Sequence, residues 1–333
     1  MRENEALHDE RYHELIRWLE DNTQFGGMSV EPASADASFR RYFRLSNGTD
    51  TWIAMDAPPD KEDSEPFVRI AGYLRDGGVR VPVIYVHDLQ KGFMVLEDFG
   101  GLHLEDALAR GGDRDALYDY ALESMSPITK IDKEVACKLP PYDRNWLTME
   151  LMIFHEWFLG EEESSKASWL QLVEPLLDCI LEQPSVFVHR DFHGRNLLLL
   201  NEESEIGVID FQGAFYGPLT YDLGALLKDC YQDNPLDWVH TKALQQKQVY
   251  EEAFQAKWED AQFLKWMDWT GLQRHLKVLG LFQRLYIRDG KDKFLKDLPQ
   301  VWKYTNEVLL SYPELSDLRE WLEQFEIWNS YQK

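Results

Sequence analysis

His189, Asp191 and Asn196, followed fourteen residues later by Asp210, set two carboxylates, an amide and an imidazole at fixed spacing. The local run is His189-Arg190-Asp191-Phe192-His193-Gly194-Arg195-Asn196, and the second carboxylate stands in Ile209-Asp210-Phe211. Such a set suits phosphoryl transfer, a reaction that asks for positioning and charge neutralisation and little covalent chemistry. Asp191 can orient an attacking hydroxyl and take its proton. The amide oxygen of Asn196 and the carboxylate of Asp210 are hard oxygen donors of the kind Mg²⁺ prefers. Singly, each of the three is an ordinary turn residue; their joint spacing between apolar segments is what points to chemistry. His189 and His193 are four apart but do not make a zinc helix, because Arg190 and not Glu follows the first and the segment reads as a turn. His189 is read as a packed scaffold residue.

The elements that must position these groups follow from periodicity. Val186–Val188, Leu197–Leu200 and Gly207–Ile209 read as short strands, so Asn196 and Asp210 are expected on neighbouring strands. Upstream, Arg11–Asp21 and Glu65–Arg75 read as helices, the second closed by Gly77-Gly78. Tyr42–Ser46 and Thr51–Met55 read as a hairpin turning at Asn47-Gly48, with Val81–His87 and Phe93–Glu97 as further strands. After Gly100-Gly101 the pattern becomes helical: Leu104–Arg110, Asp115–Thr129, Trp146–Leu159, Trp169–Glu182, and the chain beyond Asp222. The class predicted is α+β: a protein-kinase-like bilobal fold with a small N-terminal β lobe (1–97), a hinge (98–101) and a large, mostly helical C-terminal lobe (102–333). The order H-x-D-x4-N and then D-F is that of a kinase catalytic loop.

Charge sets a problem. The chain has 35 basic and 59 acidic residues, a net of −24, which repels nucleic acid and anionic membrane at long range. ATP is also an anion, so its site must invert the field locally. Ser38-Phe39-Arg40-Arg41-Tyr42-Phe43-Arg44 is such a place: small residues precede it, Ser38 adds a hydroxyl donor, and Arg41 and Arg44 are candidate phosphate contacts. Arg190 and Arg195 would add charge from the other lobe. Three separated cysteines, Cys137, Cys179 and Cys230, fit a reducing compartment. The N-terminus lacks an apolar signal segment and no apolar stretch is long enough to span a membrane, so a cytoplasmic location is expected.

A kinase site ordinarily carries a lysine on its third strand. Here Trp52-Ile53-Ala54-Met55-Asp56 puts Met55 in that place. Arg44 is the substitute expected on the phosphates, with Glu62 or Glu65 as its helix partner. Leu96-Glu97-Asp98-Phe99-Gly100 reads as the interlobe hinge, with Leu96, Glu97 and Phe99 as adenine contacts.

Together, His189-x-Asp191-x4-Asn196, Ile209-Asp210-Phe211 and Tyr221-Asp222-Leu223 resemble the aminoglycoside phosphotransferase-like family of small-molecule kinases, over nearly the whole chain. Ala35-Asp36-Ala37-Ser38-Phe39-Arg40-Arg41-Tyr42-Phe43-Arg44 with Ile53-Ala54-Met55-Asp56-Ala57-Pro58-Pro59 is similar to a narrower group, the anomeric sugar kinases of peptidoglycan recycling. That resemblance implies ATP and Mg²⁺ as cofactors and phosphorylation of N-acetylmuramate and N-acetylglucosamine at the C1 hydroxyl. It also implies a sugar 1-phosphate passed to a nucleotidyltransferase, and it makes the missing lysine ordinary. The acceptor is then expected to meet Tyr142, Asp143 and Glu150, with Phe154 and Trp157 on the same helix face read as core, and Arg195 facing an acidic group of the sugar. An aminoglycoside, choline or homoserine kinase, and a nucleotide-binding pseudokinase, are the competing readings.

Overall fold

The structure, a computed structural model, describes residues 9–35, 39–161, 163–200 and 205–332. The chain forms two compact units, Met1–Leu102 with Leu198–Gln212, and His103–Leu197 with Gly213–Lys333.

The first unit is built on a five-stranded antiparallel sheet. Its strands are β1 (Ser29–Ala35), β2 (Arg41–Ser46), β3 (Thr51–Asp56), β4 (Ile84–Asp88) and β5 (Phe93–Glu97), in the order β1-β2-β3-β5-β4. Helix α1 (Glu10–Asn22) starts at Asp9, whose carboxylate accepts the Tyr12 N–H at 3.1 Å. It drops Leu15, Trp18 and Leu19 onto Phe43, Leu45, Ala54, Phe93 and Val95 of the sheet. Helix α2 (Glu65–Asp76) ends where Gly78 turns back at φ +86°. Register pairs Arg41 with Asp56 and Tyr42 with Met55. Strand β1 was not foreseen, because Pro32 and a run of small residues depress strand propensity, and the ladder is bulged there. Strand β4 begins three residues late, at Ile84, after Pro82.

A second strand pair, β7 (Leu197–Leu200) and β8 (Glu205–Val208), corrects the expected boundary. Sequence order assigns it to the helical lobe, yet residues 198–212 pack with the first unit. Three contacts account for this. Val208 N–H bonds the Arg80 carbonyl and Leu199 N–H the Leu102 carbonyl. The Phe99 ring lies so close to Gly207 that a Cβ there would stand 2.5 Å from it. Phe211 packs on Phe67 with centroids 4.8 Å apart.

The second unit is helical: α3 (Leu104–Ala109), α4 (Arg114–Thr129), α5 (Lys133–Ala136), α6 (Arg144–Ile153), α7 (Glu163–Leu181), α8 (Tyr221–Leu227), α9 (Leu236–Phe254), α10 (Asp260–Asp289), α11 (Leu298–Ser311), α12 (Ser316–Leu322) and α13 (Glu326–Ser330). One antiparallel pair, β6 (Ser185–Val188) with β9 (Phe215–Pro218), is set among them. Helix α10 is the axis, buried without a break from Trp266 to Gly280. The single helix predicted over Trp146–Leu159 divides into α6 and a π turn at Phe154–Phe158. The widening starts where Gly280 of α10 backs onto Ile153; a Cβ there would be 2.5 Å from the Ile153 carbonyl oxygen. No described helix is long and apolar enough to cross a membrane.

Candidate active site

Strand β6 delivers the chain to His189, fully buried, and the next residue takes φ +84°. A left-handed conformation at an arginine is strained by about 1–3 kcal/mol and persists only where its surroundings enforce it. The enforcement comes from Asp222 at the start of α8. Its carboxylate accepts the His189 N–H at 2.7 Å and the Arg190 N–H at 2.9 Å. Burial pushes the Asp222 carboxyl up to about 7, against the pull of those two N–H bonds. Past the strained residue the loop closes on itself. The Asp191 carbonyl accepts the Asn196 side-chain N–H at 2.9 Å and the His193 N–H. Gly194 N–H is held by Asp229 at 3.1 Å.

Asp191 thus rests on a rigid turn. Burial raises its carboxyl, but Lys277, His193, Arg274 and Arg190 outweigh that and hold it below the usual carboxylate range. It is ionised at neutral pH, as a group that orients and deprotonates a hydroxyl must be. Lys277 and Arg274 come from α10 and are buried. Sequence reading missed both. The available signal was two cations, three apart, on one face of a helix rich in Trp and Leu, where a buried charge needs a partner.

The four predicted acceptor residues are otherwise engaged. Asp143 caps α6 by accepting the Trp146 N–H at 3.0 Å. Tyr142 is buried, stacked on Phe215 at 4.3 Å, with its hydroxyl bonded to Glu150. Glu150 is 4% exposed and gathers Tyr142, the Gln273 amide at 3.2 Å, the Trp146 indole N–H at 3.2 Å, and the cations of Arg190 and Lys277, each at 3.6 Å. It therefore fixes other side chains. Arg195 forks onto Glu105 at 2.5 and 3.1 Å and lies flat on Tyr231, 3.3 Å from the ring centre. Phe154 is core, packed against Phe158 and Trp169.

In the first unit, Ser38 lies outside the described residues. Arg41 is tied to Asp9 and Asp56 and sits beside Arg11, which shares Asp56. Arg44 forks onto Asp98 at 2.6 and 3.1 Å. Arg40, 7% exposed, pairs with Glu62 at 3.2 Å, whose other oxygen takes the Phe39 N–H. Glu65 bonds Arg69 instead, so of the two helix-side carboxylates Glu62 is the one with a cation from the arginine run. Met55 is fully buried, a core residue where a charge could not stand unpaired. Leu96 is buried. The Glu97 carboxylate forks onto Arg80 at 2.7 and 2.5 Å, and its N–H bonds the Val83 carbonyl. Phe99 lies under the Arg80 guanidinium, 4.6 Å away.

Two residues have the donor chemistry for Mg²⁺. The Asn196 side-chain N–H donates to the Asp191 carbonyl at 2.9 Å, which orients the amide. Asp210 takes φ +63° just past β8, its carboxylate held by the Gln212 amide at 2.6 Å. An amide oxygen and a carboxylate fit a hard, oxygen-seeking cation. Among the described residues no three His, Cys, Asp or Glu side chains cluster as a metal site.

Residues 29–264 match the phosphotransferase enzyme family. The chain is 42% identical over 303 residues to a curated N-acetylmuramate/N-acetylglucosamine kinase of Pseudomonas aeruginosa, covering 87% of each. A protein of the same name from Pseudomonas putida is 36% identical over 336 residues, covering 94% of this chain and 96% of the relative. Among solved structures, one named as a putative aminoglycoside phosphotransferase from Ralstonia eutropha superposes with a TM-score of 0.64 at 16% identity, covering 89% and 98%. An aminoglycoside phosphotransferase solved with ADP bound gives 0.57 at 15% identity, covering 89% and 98%. These likenesses show the protein-kinase-like fold.

Proposed function

The chain belongs to the phosphotransferase enzyme family, and from that premise we propose that it is an ATP-dependent kinase acting on the C1 hydroxyl of N-acetylmuramate and N-acetylglucosamine. The observation that carries this reading is the match to the two Pseudomonas kinases over most of both chains. The surroundings of Asp191 support the acceptor class. Arg190, Arg274 and Lys277 crowd that carboxylate, a setting that suits a neutral or acidic acceptor and disfavours a polycationic aminoglycoside.

In this mechanism the acceptor oxygen attacks the γ-phosphorus of ATP, the β–γ phosphorus–oxygen bond breaks, and ADP leaves. Asp191 holds the attacking O–H in line and receives its proton. An anomeric hydroxyl is more acidic than an ordinary alcohol, so orientation outweighs basicity in the role of Asp191. Asn196 and Asp210 would hold Mg²⁺, which supplies neutralisation of phosphate charge when bound. On the nucleotide side we assign the phosphate contacts to Arg41 and Arg44, the two more exposed of the three arginines, whereas Arg40 is buried against Glu62. Ser38, the main chain from Glu97 to Phe99, and Leu96 packing beside the adenine complete the nucleotide set. We further propose a cytoplasmic enzyme whose sugar 1-phosphate serves a nucleotidyltransferase.

Mg²⁺-dependent ADP release, measured against a panel of amino sugars, aminoglycosides and amino alcohols, tests the reading. Release with the two N-acetyl sugars and a phosphorus resonance coupled to the anomeric proton is expected. Release with another acceptor class, or with none, overturns it. Asp191→Asn should lower kcat by about 10²- to 10⁴-fold; near-native turnover would remove Asp191 from the reaction.

A further inference from the structure

Arg190 stands beside the catalytic carboxylate, yet its side chain does not hold the loop; its main-chain N–H does that, on Asp222. The guanidinium is 31% exposed and, among the described residues, has one ion pair, the loose one to Glu150 at 3.6 Å. Two other arginines of this unit are held more firmly. Arg195 forks onto Glu105, and Arg144 grips Glu174 at 2.7 Å and also Asp178. Arg190 is therefore a cation next to Asp191 that keeps donor capacity for a ligand.

An aromatic ring accompanies it. The Arg190 guanidinium carbon lies 5.8 Å from the centre of the Trp146 ring. Trp146 is half-buried and is pinned by its edge, through the indole N–H on Glu150 Oε1. That same oxygen faces Arg190 and Lys277, while Tyr142 and Gln273 occupy Oε2. One buried carboxylate thus mounts a cation and an aromatic ring together, the cation on the residue next to Asp191 in the chain.

We infer that Arg190 and Trp146 bind the acceptor, Arg190 pairing with the carboxylate of an acidic amino sugar and the indole covering the C–H face of its ring. This assignment rests on the acceptor reading above. It moves the acid-recognising role from Arg195, which forks onto Glu105 and stacks on Tyr231, to Arg190. A guanidinium is apt, since its planar fork matches a carboxylate in two parallel bonds. N-acetylglucosamine lacks the carboxylate, so the two sugars separate the contribution of Arg190 from everything they share.

The test compares kcat and KM for both sugars in the wild type, Arg190→Gln, Arg190→Lys and Trp146→Ala, with melting temperatures confirming that each folds. Arg190→Gln should lower kcat/KM for N-acetylmuramate about 10- to 100-fold more than for N-acetylglucosamine, mostly through KM. Arg190→Lys should restore part of the difference; it also carries the comparison if the glutamine variant does not fold. Trp146→Ala should raise KM for both sugars roughly 3- to 10-fold. Equal losses for the two sugars in the Arg190 variants overturn the carboxylate assignment alone, and unchanged KM values in Trp146→Ala overturn the platform. A wild type inert toward both sugars overturns the acceptor reading itself.

Discussion

Arg40, Arg41 and Arg44 crowd one stretch of an acidic chain, and the structure gives each a different carboxylate: Glu62, Asp56 with Asp9, and Asp98. Hydrogen bonding to Asp98 raises the Arg44 guanidinium further above its ordinary value, the mark of a satisfied ion pair. Arg44 is nonetheless the most exposed of the three at 40%, so Arg44→Ala should raise the KM for ATP about tenfold, whereas Arg40→Ala, at a side chain buried against Glu62, should leave it within about twofold and lower stability by ~1 kcal/mol. Steady-state ATP titrations with denaturant melts decide this; a large KM effect at Arg40 with none at Arg44 would reverse the assignment. The run itself was legible as the local positive charge that an anionic substrate requires. Which arginine carries which role was not, because strand register and partner choice decide it and neither is encoded in the spacing of the arginines. The same holds for Tyr142 and Glu150. Their chemistry suits sugar hydroxyls, but both side chains are buried and bonded to each other.

At the scale of elements, helices with strong periodicity and clear caps fell close to where the sequence places them. The misses lie where tertiary contact overrides local pattern, at β1 with its Pro32 and at the π turn opposite Gly280. Another such contact joins the helices of the second unit. Lys228, just past α8, pairs with Asp268 of α10 at 2.6 Å, both buried, and His240 of α9 and Tyr312 reach the other carboxylate oxygen. Burial raises the Asp268 carboxyl, but Lys228 and His240 bring it down to about 2. Because the folded value lies below the ordinary 3.8, the stabilisation is complete above about pH 4 and is lost as pH falls toward 2. Lys228→Met leaves that carboxylate buried without its cation and should destabilise the fold by about 3–5 kcal/mol. Chemical denaturation at pH 7 measures it; a loss below about 1 kcal/mol would mean the pair contributes little.

For the whole molecule the controlling number is the net charge of −24. Ion pairs are neutral and leave it unchanged: against 59 acidic residues there are only 35 basic ones, and the excess carboxylates repel one another. Moderate salt shortens the range of that repulsion to about 10 Å at 0.1 M. The melting temperature should thus rise by a few degrees (~2–5 °C) as sodium chloride goes from about 20 to about 300 mM; a fall would show that ion pairs outweigh the repulsion. The two-part architecture was legible from the change of periodicity after Gly100-Gly101. The allegiance of residues 198–212 was not, because it depends on Gly207 admitting the Phe99 ring and on Phe211 meeting Phe67. That allegiance makes the first unit discontinuous: it needs Met1–Leu102 and a separate piece, Leu198–Gln212. Recombination with a single crossover cannot transplant it. A chimaera spliced once at Leu102 would leave the donor sheet facing the recipient's hairpin. A working hybrid needs two exchanged segments whose apolar faces were made for each other.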